Sequence, residues 1–313
     1  MKRHLMKSVL LSVSFVFFMT SCFGSYNGGS ENNNDSKPVS ANFIRVNGGE
    51  VAGPVNGSLV FVENRTVTIK NLLVSDHEVT QNEYQTYCTY GAEKPNGGGG
   101  EGINYPVYNV SWYDAVIYCN LRSMAENLTP VYKLNGEDDP AKWSGVLCSS
   151  FGKYYGPLDG GSNWDSITFD TNANGYRLPT EAEWEYIARG GNNGLPATQT
   201  TYAGCNEIDS VAWYRTNSNF RSRPVKQKNP LKGIYDLSGN VSEICWDWSS
   251  LSISSSTPAT GPSASQNGTN KNRVCRGGNY FLEAAACEVR SRDAIKTYDR
   301  ASNVGFRVVR NAD

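Results

Sequence analysis

The stretch TEAEWEYIARGG, from Thr180 to Gly191, restricts the fold more tightly than any other part of the sequence. A hydroxyl residue followed three positions later by glutamate forms a capping box, in which each side chain binds the backbone amide of the other residue. Trp184 and Ile187 are three residues apart and fall on one helical face, and paired glycines commonly end a helix. The stretch therefore predicts a short helix that begins after Thr180 and ends at Arg189.

Two other segments carry the same helix-start signature. TQNE, at Thr80–Glu83, predicts a helix that runs to about Tyr87. SWYD, at Ser111–Asp114, predicts one that runs to about Ala125, although aspartate fits the third position less well than glutamate. The sequence therefore predicts three short capped helices.

Segments with strand character are few and short. They are SLVFVE at residues 58–63, RTVTIKNLLVSDHEV at 65–79, RVCRGGNYF at 273–281 and VGFRVVR at 304–310. Loops rich in glycine, asparagine, serine and proline separate them, so the seven tryptophans must supply much of the core. We predict an α+β domain with low regular secondary structure and long ordered loops.

The first 41 residues have the pattern of an export signal followed by a tether. Basic residues precede an apolar run at residues 8–19, which is too short to span a bilayer comfortably and is typical of a signal peptide. The run ends in MTSC, which resembles a lipoprotein cleavage site, and a stretch rich in glycine, serine and asparagine follows. We predict a signal peptide over 1–21, a flexible tether over 22–41 and one domain over 42–313. Cys22 would carry the lipid; secretion with Cys22 unmodified is the alternative.

Composition excludes several classes of function. The 29 basic and 30 acidic residues nearly balance, which gives no indication of nucleic-acid binding. Only two histidines occur, and His4 leaves with the signal peptide, so a site with several histidine ligands is excluded. We interpret His77, in the extended stretch SDHEVT, as a surface or strand-end residue and not as a catalytic one.

The eight cysteines do not indicate a zinc site, because no two are spaced as CxxC. Seven remain if Cys22 carries lipid. An exported domain can pair some of them as disulfides, and the odd number leaves at least one thiol free. The spacing leaves the pairing open.

Four motifs occur in order along the predicted domain. They are YPVYNVSWYDAVIYC at 105–119, GYRLPTEAEWEYIARGG at 175–191, GIYDLSGNVSEICWDW at 233–248, and RVCRGGNYF followed by NVGFRVVR within 273–310. Together with DHEVTQNEYQTYC upstream, they strongly resemble the formylglycine-generating-enzyme, or sulfatase-modifying-factor, family. The resemblance covers nearly all of residues 42–310 and implies the C-type-lectin-like fold of that family.

The resemblance also implies where catalytic residues would stand. The enzymes of the family use two cysteines, four and nine residues after the second glycine of RGG, to bind copper and oxidise a substrate cysteine. Those positions hold Leu282 and Cys287 here. Leucine cannot act as a thiolate or as a copper ligand. We therefore predict no catalytic residues and no catalytic cofactor. The alternative is a formylglycine-generating oxidase rearranged around Cys287 and another cysteine.

The C-terminal segment, residues 276–307, also resembles the variable proteins of diversity-generating retroelements, which share this fold and end in a similar segment. The predicted signal and tether match a spirochaetal variable lipoprotein of this type. In that family, adenines in the codons of the segment are randomised and framework codons are kept. Frame residues here would be Arg276, Gly277, Gly278, Cys287, Arg292, Arg300 and Gly305–Arg307.

The residues between the frame positions are mostly those that altered asparagine codons can encode. Glu283, Glu288 and Lys296 are not, and they rank lower as variable positions. Aromatic residues in this set would offer rigid contact area. The alternative is that Tyr280 and Phe281 lie half in the core. The predicted ligand-binding residues are Tyr280, Phe281, Leu282, Ala286, Asp293, Ala294, Ile295, Tyr298, Asp299, Ala301 and Ser302.

These features predict a lipid-anchored, non-catalytic binding protein displayed on the cell envelope, at the outer-membrane surface. Its partner would be a protein or glycan on another cell, it would contact the membrane through its lipid anchor only, and it would bind no nucleic acid. A structural subunit of an envelope assembly is a further alternative.

The family resemblance implies one structural ion. In the enzymes, calcium is bound by side-chain oxygens and backbone carbonyls of a loop that corresponds to GIYDLSGNVSEICWDW. The matching positions are Asp236, Gly239, Val241 and Glu243. Carboxylates and carbonyls suit such a cation. The alternative is a plain turn in which Asp236 and Asn240 bind backbone amides.

Overall fold

The computed structural model describes residues 42–90, 99–160, 163–264 and 271–312. The predicted signal peptide, the tether and the lipidation site Cys22 lie outside the described residues, so they stay predictions. Within the described ranges, no helix has both the length and the apolar character needed to cross a membrane.

The predicted helices are confirmed. Each of the three begins with a complete capping box: the hydroxyl accepts a 3.2 Å hydrogen bond from the third amide, and the acid accepts one of 2.8–2.9 Å from the capping residue. Asp114 completes its box as the glutamates do. The α-helices among the described residues are α1 (Gln81–Tyr87), α2 (Trp112–Ala125), α3 (Glu181–Ala188) and a short α4 (Ile208–Val211).

The strands are short and numerous. They are β1 (Phe43–Val46), β2 (Gly49–Ala52), β3 (Thr66–Ile69), β4 (Leu72–Ser75), β5 (Tyr132–Lys133), β6 (Leu147–Cys148), β7 (Tyr154–Tyr155), β8 (Thr168–Phe169), β9 (Ala212–Trp213), β10 (Ser238–Gly239), β11 (Ser242–Trp248), β12 (Asn272–Arg276), β13 (Arg292–Lys296), β14 (Val304–Gly305) and β15 (Val309–Asn311). The 3-10 helices of the described ranges are Pro140–Lys142, Asn163–Ser166 and Ala284–Cys287.

Two sheets organise the domain. In the first, β4 pairs antiparallel with both β1 and β15, so it lies between strands from the two ends of the described chain. In the second, the order is β13-β12-β11-β14, with β14 parallel to β11 and the other pairs antiparallel. The strand β13, which carries three of the predicted ligand-binding residues, therefore lies at a sheet edge.

The strand prediction for SLVFVE is wrong. Residues 58–63 form a turn in which the Ser58 hydroxyl oxygen accepts hydrogen bonds from the amides of Val60 (3.0 Å) and Phe61 (2.8 Å). Such local side-chain bonds compete with sheet pairing. Val60 and Phe61 are nevertheless buried, so the apolar pattern reported core positions and not a strand.

Tryptophans fill much of the core, as predicted. Trp112, Trp164 and Trp184 are completely buried. The guanidinium of Arg273 lies 3.7 Å from the ring centroid of Trp112 and 3.4 Å from that of Trp248, and arginine readily stacks on aromatic rings in this way. The seven cysteines from Cys88 to Cys287 are all free thiols, so no disulfide supports this core.

Candidate functional site

The frame of the C-terminal segment is held by buried arginines. The guanidinium of Arg276 is completely buried and binds the Glu185 carboxylate at 2.5 Å. It also donates to the carbonyls of Val289 (2.9 Å) and Ser291 (2.7 Å). One side chain therefore links α3 to the part of the segment at residues 289–291.

Three further arginines of the segment each bind one carboxylate through two nitrogens. Such two-point pairs fix orientation as well as distance. Two of the carboxylates belong to capped helices, so the segment is attached to the best-defined elements of the scaffold. The pairs are Arg292 with Glu181 (2.6 and 2.8 Å), Arg300 with Asp114 (2.8 and 2.9 Å) and Arg307 with Glu243 (2.6 and 2.6 Å).

The two glycines after Arg276 are required by the backbone. Gly277 and Gly278 have φ of 87° and 68°, in the left-handed region that favours glycine. A Cβ on Gly278 would lie 2.6 Å from the Ala286 carbonyl oxygen and 2.8 Å from the Cys287 sulfur. The turn therefore brings the two halves of the segment into contact.

The prediction of an exposed contact residue is wrong for Tyr280, whose exposed fraction is 2%. Its hydroxyl donates to the Ser302 carbonyl at 3.1 Å, and its amide donates to the Asn240 carbonyl at 2.8 Å. Tyr280 therefore closes the segment on itself. Phe281, the next residue, has an exposed fraction of 53%.

The other predicted ligand-binding residues are at least partly accessible. Ile295, Tyr298 and Ala301 pack one side against the core, so only their other side can meet a ligand. Asp293 is exposed on the edge strand β13. Those of intermediate exposure are Leu282, Ala286, Ala294, Ile295, Tyr298, Asp299, Ala301 and Ser302.

A second loop, residues 213–223, lies against Phe281 and Leu282 and was not predicted. The ring of Phe220 meets that of Phe281 edge-on, with 5.7 Å between centroids. The Arg215 amide donates to the Leu282 carbonyl at 3.0 Å. Phe220 has an exposed fraction of 50%. Its only sequence signal is that it is a single aromatic residue in the polar run TNSNFRSR.

Asn240 joins this loop to the segment. Its backbone amide donates to the Trp213 carbonyl (2.7 Å), and its carbonyl accepts from the Tyr280 amide (2.8 Å). Its side chain accepts from the Arg223 amide (2.9 Å) and donates to Glu78 (2.7 Å). One buried asparagine therefore holds both loops in register.

The position of the retained cysteine does not favour thiol chemistry. Cys287 is completely buried, and this burial raises the pKa of its thiol to about 12. Backbone amides that donate to the sulfur oppose the shift only in part. A thiol with this pKa is protonated at neutral pH and is a poor nucleophile. Leu282 occupies the other position.

The predicted calcium ligands are engaged elsewhere. The Glu243 carboxylate is bound by Arg307 and by the Trp184 indole nitrogen at 2.7 Å. Asp236 accepts a 2.8 Å hydrogen bond from the Lys226 amide, and burial raises its pKa to about 6. In the described part of the chain, no three His, Cys, Asp or Glu side chains are grouped to hold a metal ion.

These contacts do not fit a calcium ion at Asp236, Gly239, Val241 and Glu243. The guanidinium on Glu243 would repel a cation, and it already occupies both oxygens of that carboxylate. The loop has the geometry of the alternative, a turn in which Asp236 and Asn240 accept hydrogen bonds from backbone amides. Calcium stays a prediction without geometric support.

His77 lies two residues after β4 ends, which agrees with the strand-end interpretation, but it is buried and so is not a surface residue. Its Nδ1 contacts the Asp76 carboxylate, and its Nε2 lies 3.2 Å from that of Glu83. Burial lowers the pKa of His77, but hydrogen bonds and charge interactions with Glu83 and Asp76 raise it more, so the net shift is upward. Both ring nitrogens are thus engaged by carboxylates.

The chain is similar in sequence to known proteins. The chain is 32% identical over 275 residues to the "Chaperone protein LppX" of Paenibacillus barcinonensis, which covers 79% of this chain and 83% of that protein. It is 32% identical over 169 residues to the "Formylglycine-generating enzyme" of Streptomyces coelicolor, covering 48% of this chain and 52% of the enzyme.

The chain is also similar to a solved structure. "Treponema denticola variable protein 1" superposes with a TM-score of 0.70 at 31% identity, covering 86% of this chain and 95% of that chain. The predicted α+β, C-type-lectin-like fold is therefore confirmed. The profile of the family described as "Sulfatase-modifying factor enzyme 1-like domain" matches residues 30–312. The chain belongs to this family.

Proposed function

We propose that this protein is a non-catalytic binding protein, which uses the sulfatase-modifying-factor scaffold to present side chains of residues 276–307 to a ligand. The observation that carries the proposal concerns Leu282 and Cys287, which stand where the enzymes of the family have their two catalytic cysteines. Leu282 replaces one thiol, and Cys287 is buried with its pKa raised to about 12. Beside them, Phe281 is exposed on a rigidly bound frame.

The ligand is proposed to be a protein. Exposed apolar side chains that adjoin each other, such as Phe281 and Phe220, are typical of protein-binding surfaces. The names of two relatives, a variable protein and a chaperone, support a role in binding. Binding of a glycan would be an outcome against this part of the proposal.

The direct test is an activity assay. We expect the purified protein, loaded with copper and incubated with a peptide that contains CxPxR, to leave the peptide thiol intact. A formylglycine-generating enzyme assayed in parallel serves as the positive control. Appearance of an aldehyde in the peptide would establish the rival function, an oxidase rearranged around Cys287 and a second cysteine.

Export and lipidation at Cys22 are part of the proposal, with display at the outer-membrane surface. The support is the apolar run and the MTSC sequence before the tether. Metabolic labelling with a radioactive fatty acid should mark the wild type and not the Cys22→Ser variant, and surface protease should remove the domain from intact cells.

The positions between the frame residues are proposed to vary between sibling isolates. We expect differences in the gene to cluster at codons for residues such as Phe281 and Asp293, and to spare those for Arg276 and Arg307. An even spread of differences along the gene would contradict this. Stable co-purification with one envelope protein would instead favour the role of a structural subunit.

A further inference from the structure

The loop at residues 213–223 presents an aromatic residue in an unfavourable backbone conformation. Asn219 and Phe220 both have φ of 55°, in the left-handed region that asparagine tolerates and phenylalanine rarely adopts. The strained conformation does not serve to bury the ring, because half of Phe220 is exposed. Strain kept at an exposed residue points to a use outside the fold.

This loop is fixed against the C-terminal segment. The Ser218 hydroxyl donates to the Tyr280 carbonyl at 2.7 Å and accepts from the Phe220 amide at 3.1 Å. The Arg223 guanidinium donates to the Ser218 carbonyl at 2.8 Å. Phe220 and Phe281 are therefore held as one preformed apolar pair, although they lie far apart in sequence.

The apolar pair lies in a basic neighbourhood. Residues 212–235 include six lysines and arginines and no acidic residue, in a chain whose net charge is −1. Arg215 pairs with Glu283 at 2.9 Å. Among the described residues, no carboxylate forms an ion pair with Arg221, which is exposed, or with Arg223. Arg215 and Lys226 are thus paired with Glu283 and Asp76, whereas the charges of Arg221 and Arg223 near Phe220 have no carboxylate partner in the described part of the chain.

We propose that the loop at 213–223 is a constant half of the binding face, and that the pair Phe220–Phe281 with its basic flank takes an acidic protein segment that carries an apolar anchor residue. The inference rests on the proposed binding function and adds the partner's chemistry. An apolar side chain would pack against the exposed outer surface of the two contacting rings. Carboxylates would meet Arg221 and Arg223.

The test is selection of peptides from a displayed random 12-residue library on the purified full chain. We expect the recovered peptides to be enriched in Asp and Glu together with aromatic or aliphatic residues, and their binding to weaken with salt. Phe220→Ala and Phe281→Ala should each reduce affinity by about tenfold or more, as central interface residues do. Phe151→Ala, which removes a ring that is 85% exposed, is the matched control and should change nothing.

A second variant separates binding from folding. Phe220→Gly removes the ring and relieves the left-handed strain, so its Tm should rise while its affinity falls like that of Phe220→Ala. Arg221→Glu should also weaken binding and make it less dependent on salt. Loss of affinity without loss of Tm supports a contact role.

Each other outcome counts against a stated part. If Phe281→Ala abolishes binding and Phe220→Ala does not, the loop is no part of the face, and the proposed function stands. If peptides are recovered but are basic, or none is recovered, the acidic segment is the wrong occupant. If peptides bind both variants as tightly as the wild type, the inference and the proposed face both fail.

Discussion

Two kinds of position alternate within residues 276–307, and their environments are opposite. Arg276 and Arg307 are completely buried and bind carboxylates, whereas Phe281, on the same segment, is half exposed. A few frame residues thus supply the attachment, and their neighbours contribute little to it. The contrast teaches that a segment can be rigid without its exposed side chains being specified by the fold.

The largest effect is expected from breaking one frame pair. Arg307→Ala would leave the Glu243 carboxylate buried without its partner, and such changes cost about 3–5 kcal/mol of unfolding free energy. Urea unfolding followed by tryptophan fluorescence measures it. Phe281→Ala is the matched change at a neighbouring position of the other kind, and it should stay within about 0.5 kcal/mol.

The double variant Arg307→Met with Glu243→Leu sharpens this test. It removes both charges, so it should be less destabilised than Arg307→Ala alone. Equal costs for Arg307→Ala and Phe281→Ala would erase the distinction between frame and exposed positions.

A smaller effect is expected at the glycine turn. Gly278→Ala would place a Cβ 2.6 Å from the Ala286 carbonyl in a left-handed residue, and the strain and the clash together should cost about 2 kcal/mol or more. Gly152 has a similar φ of 72° with no atom within 4 Å of its would-be Cβ. Gly152→Ala should therefore cost only about 1 kcal/mol. The difference in unfolding free energy between the two variants measures the clash, and no difference would argue against a tight turn at Gly278.

The smallest expected effect is the pH dependence of stability that His77, a residue outside the arginine frame, contributes. The pKa of His77 is raised in the folded state above its ordinary value, so its contribution to stability is complete at pH below about 6.5 and is lost as pH rises through the folded pKa. Arginine pairs do not titrate in this range. We expect His77→Gln to flatten the fall in unfolding free energy between pH 6 and 8, measured by urea unfolding. The same slope in both proteins would show that His77 contributes nothing.

Local signals made the helices predictable, and long-range pairing hid the strands. The capping boxes of α1, α2 and α3 involve residues three apart, so the sequence carries them completely. In contrast, β11 is buried on both faces and has no alternating pattern, and its register depends on β12 and β14. Edge strand β13 likewise follows from its pairing with β12.

The candidate site was predictable only where the frame was concerned. The frame arginines at 276 and 307 could be identified from the motif, and the structure shows that both bind carboxylates. The burial of Tyr280 depends on Ser302, 22 residues later, and no local pattern reports that contact. Phe220 lies beside Phe281 because Asn240, Ser218 and Arg215 hold its loop against the segment, and these are long-range contacts.

The carboxylate of Asp114 has two roles, since it caps α2 and also binds Arg300 across 186 positions of sequence. Contacts of such high contact order form slowly, and they need the capped helix as a docking point. The segment is therefore expected to dock late in folding, when its exposed side chains have made few contacts. Substitutions at Phe281 should then leave the folding rate unchanged. Variants that differ at this position would therefore fold equally fast, whatever ligand each of them binds.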